Sequence, residues 1–156
     1  MNLCQIFQRN PAIYDGEVHL IYFFKMIIKY KINSDLKNIL PVTLEIFQKL
    51  KSQGVKEDIL FDVRLCLEEA LVNAIKHGNK KDKKKLVYIA VKFINHIIEI
   101  IVKDQGKGFD YKNIPSPTKG KNIKKPSGRG IFLIKKLMDG VRFSNGGSTI
   151  KMVKLF

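Results

Sequence analysis

The sequence predicts an α+β two-layer sandwich, in which a mixed β-sheet carries helices on one face. Two early segments have helical periodicity with wide apolar faces, and the middle and the end of the chain each contain strand patterns around a turn. With 156 residues, the chain has the length of one domain. We assign this domain to residues 25–156 and expect residues 1–24 to be an N-terminal extension of undetermined role. Met26 precedes the first clean strand, so an internal start there is a further hypothesis.

The first strand and the first helix are predicted from composition and from helix-end signals. Residues 25–32 have strand character, and Asn33 or Ser34 can cap a following helix that runs to about residue 53. Gly54 would end this helix. The apolar stripe of the helix is expected to consist of Leu36, Ile39, Leu40, Thr43, Phe47 and Leu50.

A second helix and a hairpin form the predicted centre of the chain. Residues 56–76 should form a helix, and its apolar residues cover so wide an arc that deep burial is expected. Residues 86–94 and 97–103 have the two-residue period of strands. Asn95-His96 between them suits a tight turn, because asparagine tolerates positive φ.

A long polar loop separates the central hairpin from the last elements. Residues 109–127 contain several prolines, and a loop of this length within a compact domain is usually functional or mobile. A short helix is predicted over about 129–138. A final hairpin of residues 141–144 and 149–156 would turn at Asn145-Gly-Gly147.

The net charge of +15 first suggests nucleic acid or an anionic membrane as a partner. The alternative is a chain rich in Lys, Ile and Asn in which lysine is simply the default surface residue. We favour this alternative, because the basic runs at 79–85 and 119–125 fall in predicted loops without interleaved aromatic residues for base stacking. No nucleic-acid partner is therefore expected.

The cysteines and the apolar runs indicate a cytoplasmic protein. Cys4 and Cys66 are far apart in the sequence, and Cys66 falls within the apolar second helix, as a small core residue would. The apolar run of residues 20–28 is interrupted by Lys25 and is too short to span a bilayer. No signal-peptide cleavage pattern is present. We therefore expect no disulfide and no membrane association.

Glu69 and Asn73 are the first candidate site residues. They are four residues apart in the second helix, so their side chains stack about 6 Å apart on one helix face. Polar groups at buried-looking positions need partners. Asn73 could offer an oxygen to Mg²⁺ while Glu69 accepts a proton from a water or a hydroxyl. An exposed polar pair on a solvated edge remains the alternative for these two residues alone.

The segment Asp104-Gln-Gly106-Lys-Gly108 follows the second strand of the central hairpin. An ionised Asp104 could accept a hydrogen bond from the exocyclic amino group of adenine, where guanine presents a carbonyl. Gly106 and Gly108 would let the backbone approach a ring or adopt positive φ. An ordinary strand-ending turn is the alternative, since Asp and Gly are common there.

Ser127-Gly128-Arg129-Gly130 opens the short third helix, and the free N–H groups of a helix start favour phosphate. Arg129 and several loop lysines add positive charge at this point. The lysines are Lys119, Lys121, Lys124 and Lys125, and ordinary solvation is their alternative role. The P-loop pattern is absent, so a phosphate site here would be of another type.

In this order and spacing, the three motifs resemble those of the Bergerat-fold ATPases, the superfamily of gyrase, heat-shock chaperone, histidine kinase and mismatch-repair ATPases. The resemblance covers about residues 25–156 and implies that fold with an ATP lid, and ATP and Mg²⁺ as cofactors. It implies that Glu69 is the catalytic base, that Asn73 binds the metal and that Asp104 binds adenine. The lid glycines would be Gly106, Gly108, Gly128 and Gly130.

Within this superfamily, the amino-acid sequence of residues 68–78 and 128–139 is similar to that of the anti-sigma-factor serine/threonine kinases. That family implies a homodimer that sequesters a sigma factor and phosphorylates a serine or threonine of a STAS-domain antagonist. Gly147-Ser148 is similar to the family's Gly-Thr pair near the adenine-binding Asp, with serine in place of threonine. Arg129 is our candidate for a direct phosphate contact.

Two other functions stay open from the sequence. A histidine-kinase ATPase domain is disfavoured, because no second helical hairpin carries a phosphoacceptor histidine and His19 lies in the irregular leader. The other alternative is a non-catalytic module that binds a partner and uses ATP only as a conformational ligand.

Overall fold

The computed structural model of the protein describes residues 25–108 and 129–156. The N-terminal extension, the polar loop with its lysines, and Gly128 therefore lie outside the described residues. Within the two described ranges, no helix is both long enough and apolar enough to cross a membrane.

Five strands form one sheet in the order β1-β2-β3-β5-β4. They are β1 (Lys25–Asn33), β2 (Leu86–Ile94), β3 (Ile97–Lys103), β4 (Gly140–Ser144) and β5 (Thr149–Leu155). The expectation of a mixed sheet is wrong for these strands, because all four pairings between them are antiparallel. β3 and β4 run in the same direction, but the β4–β5 hairpin folds back so that β5 lies between them.

The helices pack on one face of this sheet, as the α+β sandwich predicts. They are a 3₁₀ turn (Leu36–Asn38), α1 (Ile39–Lys51), α2 (Glu57–Asn73), a π-helical turn (Ala74–Gly78) and α3 (Arg129–Leu137). Helix α2 is central, since it contacts α1, α3 and the two middle strands β3 and β5. Side chains at the inward positions of the sheet complete the core, for example Val87, Val91, Ile98, Ile100 and Met152.

The start of the first helix differs from the sequence expectation. Asp35, rather than Asn33 or Ser34, caps it, because the Asp35 carboxylate accepts the Lys37 N–H at 3.2 Å. Leu36 and Leu40 were expected in the buried stripe but are 39% and 54% exposed. The buried stripe is rotated towards Val42 and Ile46, because this face of α1 packs in the core. It consists of Ile39, Val42, Thr43, Ile46 and Leu50.

Candidate functional site

Glu69 and Asn73 lie in the last part of α2, on either side of the buried residues Ala70 and Leu71, and both are half-buried. The start of α3 lies directly over this pair. A β-carbon added at Gly130 would come within 3.0 Å of Glu69 Oε2 and 3.6 Å from Asn73 Nδ2. The absence of a side chain at position 130 therefore allows the backbone of α3 to approach both polar groups.

Asp104 follows β3 and is only 8% exposed. Its N–H donates to the Ser148 carbonyl at 3.0 Å, and its Oδ1 accepts the Gly106 N–H at 2.7 Å. Burial raises the pKa of the Asp104 carboxyl, although the Gly106 N–H and the charge of Lys85 act in the opposite direction. The carboxylate is thus fixed in orientation and partly desolvated, which favours a ligand that donates a hydrogen bond to it.

Gly78 supports this carboxylate, although the motifs in the sequence did not identify it as a site residue. A β-carbon at position 78 would lie within 3.0 Å of the Asp104 carboxylate atoms. One added at Gly106 would lie within 3.0 Å of the Gly78 carbonyl oxygen. The Asp104 turn therefore packs against bare backbone at the end of the π-helical turn. The only available sequence signal was the position of Gly78 on the helix that carries Asn73.

The π-helical turn places Gly78 in its position. The Asn79 N–H donates to the Ala74 carbonyl at 2.8 Å, a bond that spans five residues instead of four. Five residues from Asn73 make about one π turn, whereas in an α-helix they would overshoot by roughly 140°. Gly78 consequently lies closer to the side of Asn73 than α-helical rotation would bring it. One helix thus presents Glu69, Asn73 and the support of Asp104 in order along roughly 12 Å of its length.

The segment after Asp104 packs against the turn that joins β4 to β5. Gly108 has φ of +77°, and a β-carbon there would come within 3.0 Å of the Gly146 carbonyl oxygen. Ser148 is buried, and its hydroxyl donates to the Asn145 carbonyl at 3.0 Å. Ser148 therefore lies beside Asp104, as the sequence predicts, and its carbonyl also holds the Asp104 backbone.

The remaining predicted site residues have different outcomes. Arg129 is exposed at the first position of α3, in the turn that faces Glu69. The Gly106 N–H donates to the Asp104 carboxylate. Gly128 lies outside the described residues. The structure therefore brings two groups of residues together. In the first group, Glu69 lies with Asn73 and Gly130. In the second group, Asp104 lies with Gly78, Gly106 and Ser148.

Oxygen donors for a metal are limited at this site. No cluster of three or more His, Cys, Asp or Glu side chains occurs in the part of the chain that the structure describes. Mg²⁺ typically binds through one or two protein oxygens together with substrate phosphates and water, and the Asn73 amide beside the Glu69 carboxylate fits this smaller donor set.

Comparison with known proteins identifies the family. Residues 32–154 match the histidine kinase-like ATPase domain. The chain is 33% identical over 109 residues to the serine-protein kinase RsbW of Staphylococcus epidermidis, which covers 65% of this chain and 69% of that protein. The chain belongs to the RsbW family of serine-protein kinases. The expectation of an anti-sigma-factor kinase family within the Bergerat-fold ATPases is therefore confirmed.

Further relatives of the RsbW family agree with this. RsbW of Staphylococcus aureus strain MRSA252 is 29% identical over 135 residues, which cover 81% of this chain and 85% of that protein. The RsbU and RsbW domains of a Mycobacterium tuberculosis protein superpose with a TM-score of 0.59 at 15% identity, over 83% of this chain and 32% of that chain. This last likeness supports the fold, in accordance with the predicted Bergerat architecture.

Proposed function

We propose that the protein is a Mg·ATP-dependent serine/threonine kinase that acts as an anti-sigma factor and phosphorylates a STAS-domain antagonist. The proposal rests on one observation: two groups of polar residues lie along the same helix. Glu69 and Asn73 lie under the start of α3, and Asp104 lies against Gly78 at the end of the same helix. The spacing between the two groups suits the phosphate and adenine ends of one nucleotide.

Glu69 is the proposed general base. Phosphoryl transfer depends mainly on positioning and on charge neutralisation, with one proton to remove from the attacking hydroxyl. Glu69 would accept this proton from the target serine or threonine. The half-buried position of its carboxylate under the α3 backbone limits its rotation, which favours a fixed geometry for this step.

Asn73 is the proposed protein ligand of Mg²⁺. Its amide oxygen lies one helical turn beyond Glu69, on the same face. When bound, the metal would neutralise the charge of the phosphates and orient them towards the hydroxyl. Arg129 and the helix-start amides around Gly128 and Gly130 are proposed to add positive potential on the opposite side of the phosphates.

Asp104 is proposed to select adenine. Its fixed carboxylate would accept a hydrogen bond from the exocyclic amino group, whereas the guanine carbonyl would face it with a second acceptor. Gly106 and Gly108 shape this turn, since both pack too closely for a side chain. Ser148 would complete the adenine end through its hydroxyl and through its carbonyl bond to the Asp104 backbone.

The proposed partners are a sigma factor and its STAS-domain antagonist, with the protein acting as a cytoplasmic homodimer. Membership of the RsbW kinases supports this choice, since relatives that cover most of the chain are named serine-protein kinases. We place the catalytic domain at residues 25–156 and treat residues 1–24 as an extension of it. No nucleic-acid contact and no membrane contact are part of the proposal.

Incubation with γ-³²P-ATP and a STAS-domain protein encoded in the same genome tests the proposal. We expect label on one serine or threonine of the partner, dependent on Mg²⁺, and at least about 10²-fold slower labelling when Glu69 is replaced by Gln. A protein that binds ATP and the partner but transfers no phosphate would be a non-catalytic binding module. Label on histidine would instead identify a histidine-kinase type of chemistry.

A further inference from the structure

Asn79 is the first residue after the π-helical turn and is 0% exposed. Its side chain uses all of its main hydrogen-bonding capacity within the protein. Oδ1 accepts the Gln105 N–H at 2.8 Å, and Nδ2 donates to Ser34 Oγ at 2.7 Å and to the Leu86 carbonyl at 3.0 Å. The proposed mechanism does not use this residue, which lies at the start of the basic run 79–85 that the sequence predicts as a loop.

The bond from Gln105 fixes the backbone next to Asp104. Gln105 directly follows Asp104, and Gly106 then donates its N–H to the Asp104 carboxylate at 2.7 Å. The peptide between Asp104 and Gln105 is therefore anchored to Asn79, while the following peptide is anchored to the Asp104 carboxylate. Rotation of either peptide would turn the carboxylate away from its present direction.

The other two bonds of Asn79 serve the sheet. Ser34 directly follows β1, and both its N–H and its hydroxyl donate to the Lys85 carbonyl, at 3.1 and 3.0 Å. Leu86 begins β2, and its N–H donates to Gln105 Oε1 at 2.7 Å. Within the Asn79 amide, Nδ2 thus joins the strand ends and Oδ1 holds the Asp104 turn. The two halves of one amide have separable tasks.

We propose that Asn79 is a positioning residue that sets the direction of the Asp104 carboxylate and thereby determines the preference for adenine over guanine. This inference rests on the proposed function, in which Asp104 reads the base. Asparagine suits the position because one buried amide supplies the acceptor for the turn and the donors for the strand ends. An aspartate would keep the acceptor and lose the donors, and an alanine would lose both.

The test compares the affinities for ADP and GDP, measured by isothermal titration calorimetry, in the unmodified protein and in three variants. Asn79→Ala removes both halves of the amide. Asn79→Asp keeps the acceptor for the Gln105 N–H. Ser34→Ala removes the hydroxyl that accepts from Asn79 Nδ2 and donates to the Lys85 carbonyl, and it leaves the bond between Asn79 and Gln105 in place. ADP and GDP are nucleoside diphosphates without a γ-phosphate to transfer, so their affinities report base recognition separately from phosphoryl transfer.

We expect the ADP-to-GDP affinity ratio to fall at least about tenfold in Asn79→Ala and to stay within about threefold of the original in Asn79→Asp and Ser34→Ala. A folded Asn79→Ala variant that keeps its ratio would overturn the role of Asn79 alone. An equal loss in Ser34→Ala would reduce Asn79 to a general structural residue. A lack of any ADP preference in the unmodified protein would instead overturn the proposed role of Asp104, and this inference with it.

Amide hydrogen exchange of Gln105 gives a second readout that does not require Asn79→Ala to fold. We compare the unmodified protein with Asn79→Asp and Ser34→Ala. In each of these proteins, the protection of the Gln105 amide from exchange and the preference for ADP should be retained together or lost together. A variant that loses this protection and keeps its full preference for ADP would contradict the inference.

Discussion

Gly130, at the start of α3, lies so close to Glu69 that a β-carbon at position 130 would come within 3.0 Å of the Glu69 carboxylate oxygen. The same carbon would be 3.6 Å from the Asn73 amide nitrogen. Position 130 therefore requires glycine because α3 contacts α2 so closely there. The backbone angles at this position do not themselves require glycine. The proposed base and the proposed metal ligand share this single close approach.

Replacement of Gly130 by Ala should displace the Glu69 carboxylate. We expect phosphate transfer to fall at least about 10²-fold, because a misplacement of about 1 Å in a reacting group has an effect of this size. Labelling of the STAS-domain substrate under saturating ATP measures the loss. ADP affinity should change much less, because Asp104 and its turn are not touched by position 130.

Gly140→Ala is the matched control for Gly130→Ala. A β-carbon at Gly140 would meet Val153 Cβ at 3.5 Å, an ordinary van der Waals contact. Transfer should stay close to that of the unmodified protein. Equal losses in both variants would indicate that any added methyl group destabilises the fold, and the specific contact with Glu69 would then be unsupported.

Glu69→Gln keeps the shape of the side chain and removes its basicity. ATP binding should be retained while phosphate transfer falls at least about 10²-fold, the usual scale for a general base. Single-turnover transfer at saturating ATP is the appropriate measurement. Unchanged transfer would remove Glu69 from this role.

The neighbouring Glu68 provides the control for Glu69→Gln. Its carboxylate accepts hydrogen bonds from Arg64 at 2.9 Å and from Thr43 at 3.3 Å, so it is committed to the α1–α2 contact. Glu68→Gln should lower stability slightly without lowering the rate of transfer. A loss of transfer equal to that of Glu69→Gln would show that the charge of this helix segment matters and that the identity of the base does not.

The sequence could predict the helix that carries Glu69 and Asn73 because local periodicity determines it. Four-residue spacing places both side chains on one face in any α-helix, and the apolar residues around them identify the buried side. The alternation of residues 86–94 likewise predicted β2 with its observed bounds. The antiparallel order was not predictable in this way, because the insertion of β5 between β3 and β4 depends on packing between distant segments.

The support of Asp104 could not be predicted from the sequence. It depends on Gly78 and Asn79, and Asn79 lies 26 residues before the Gln105 amide that it binds. A helical wheel also misplaces Gly78 relative to Asn73, because it assumes α-helical rotation where the chain forms a π-helical turn over Ala74–Gly78. The identity of Asp104 was visible in its motif, but its orientation was set by contacts that no local pattern records.

Asp104→Asn should increase stability and weaken nucleotide binding. Since burial raises the pKa of Asp104 in the folded protein, ionised Asp104 lowers the free energy of unfolding at neutral pH. Asparagine can still accept the Gly106 N–H and carries no charge. Thermal unfolding should show a gain for Asp104→Asn at pH 7, and this gain should disappear as the pH falls to the ordinary aspartate value of 3.8.

The pH dependence of ADP binding is set by the same Asp104 pKa. Ionisation of Asp104 lowers stability but should strengthen ADP binding. The proposed hydrogen bond to adenine needs the ionised carboxylate, so ADP affinity should fall with decreasing pH at a higher pH than an ordinary aspartate would allow. In Asp104→Asn this dependence should vanish, with ADP affinity at least about tenfold lower at pH 7. An equal pH profile in both proteins would exclude Asp104 as the titrating group.

Cys66 should be inert in the folded protein. Burial, followed by the nearby charge of Asp62, raises the pKa of its thiol to about 12, so only about one thiol in ten thousand is ionised at pH 8. In a Cys4→Ser background, a thiol-specific reagent such as DTNB should react only as fast as the protein unfolds. Reaction should become immediate in 6 M guanidinium chloride, and rapid native-state labelling would contradict the core position of Cys66.

The most direct test of the central claim measures the affinities for ATP and GTP by calorimetry, with Mg²⁺ and with EDTA, at pH 7. If Asp104 reads the base while Asn73 holds the metal, ATP should bind at least about tenfold more tightly than GTP, and Mg²⁺ should strengthen ATP binding. Asn73→Ala should abolish the Mg²⁺ effect and leave the base preference intact. Equal affinities for ATP and GTP, with no effect of Mg²⁺, would contradict the account.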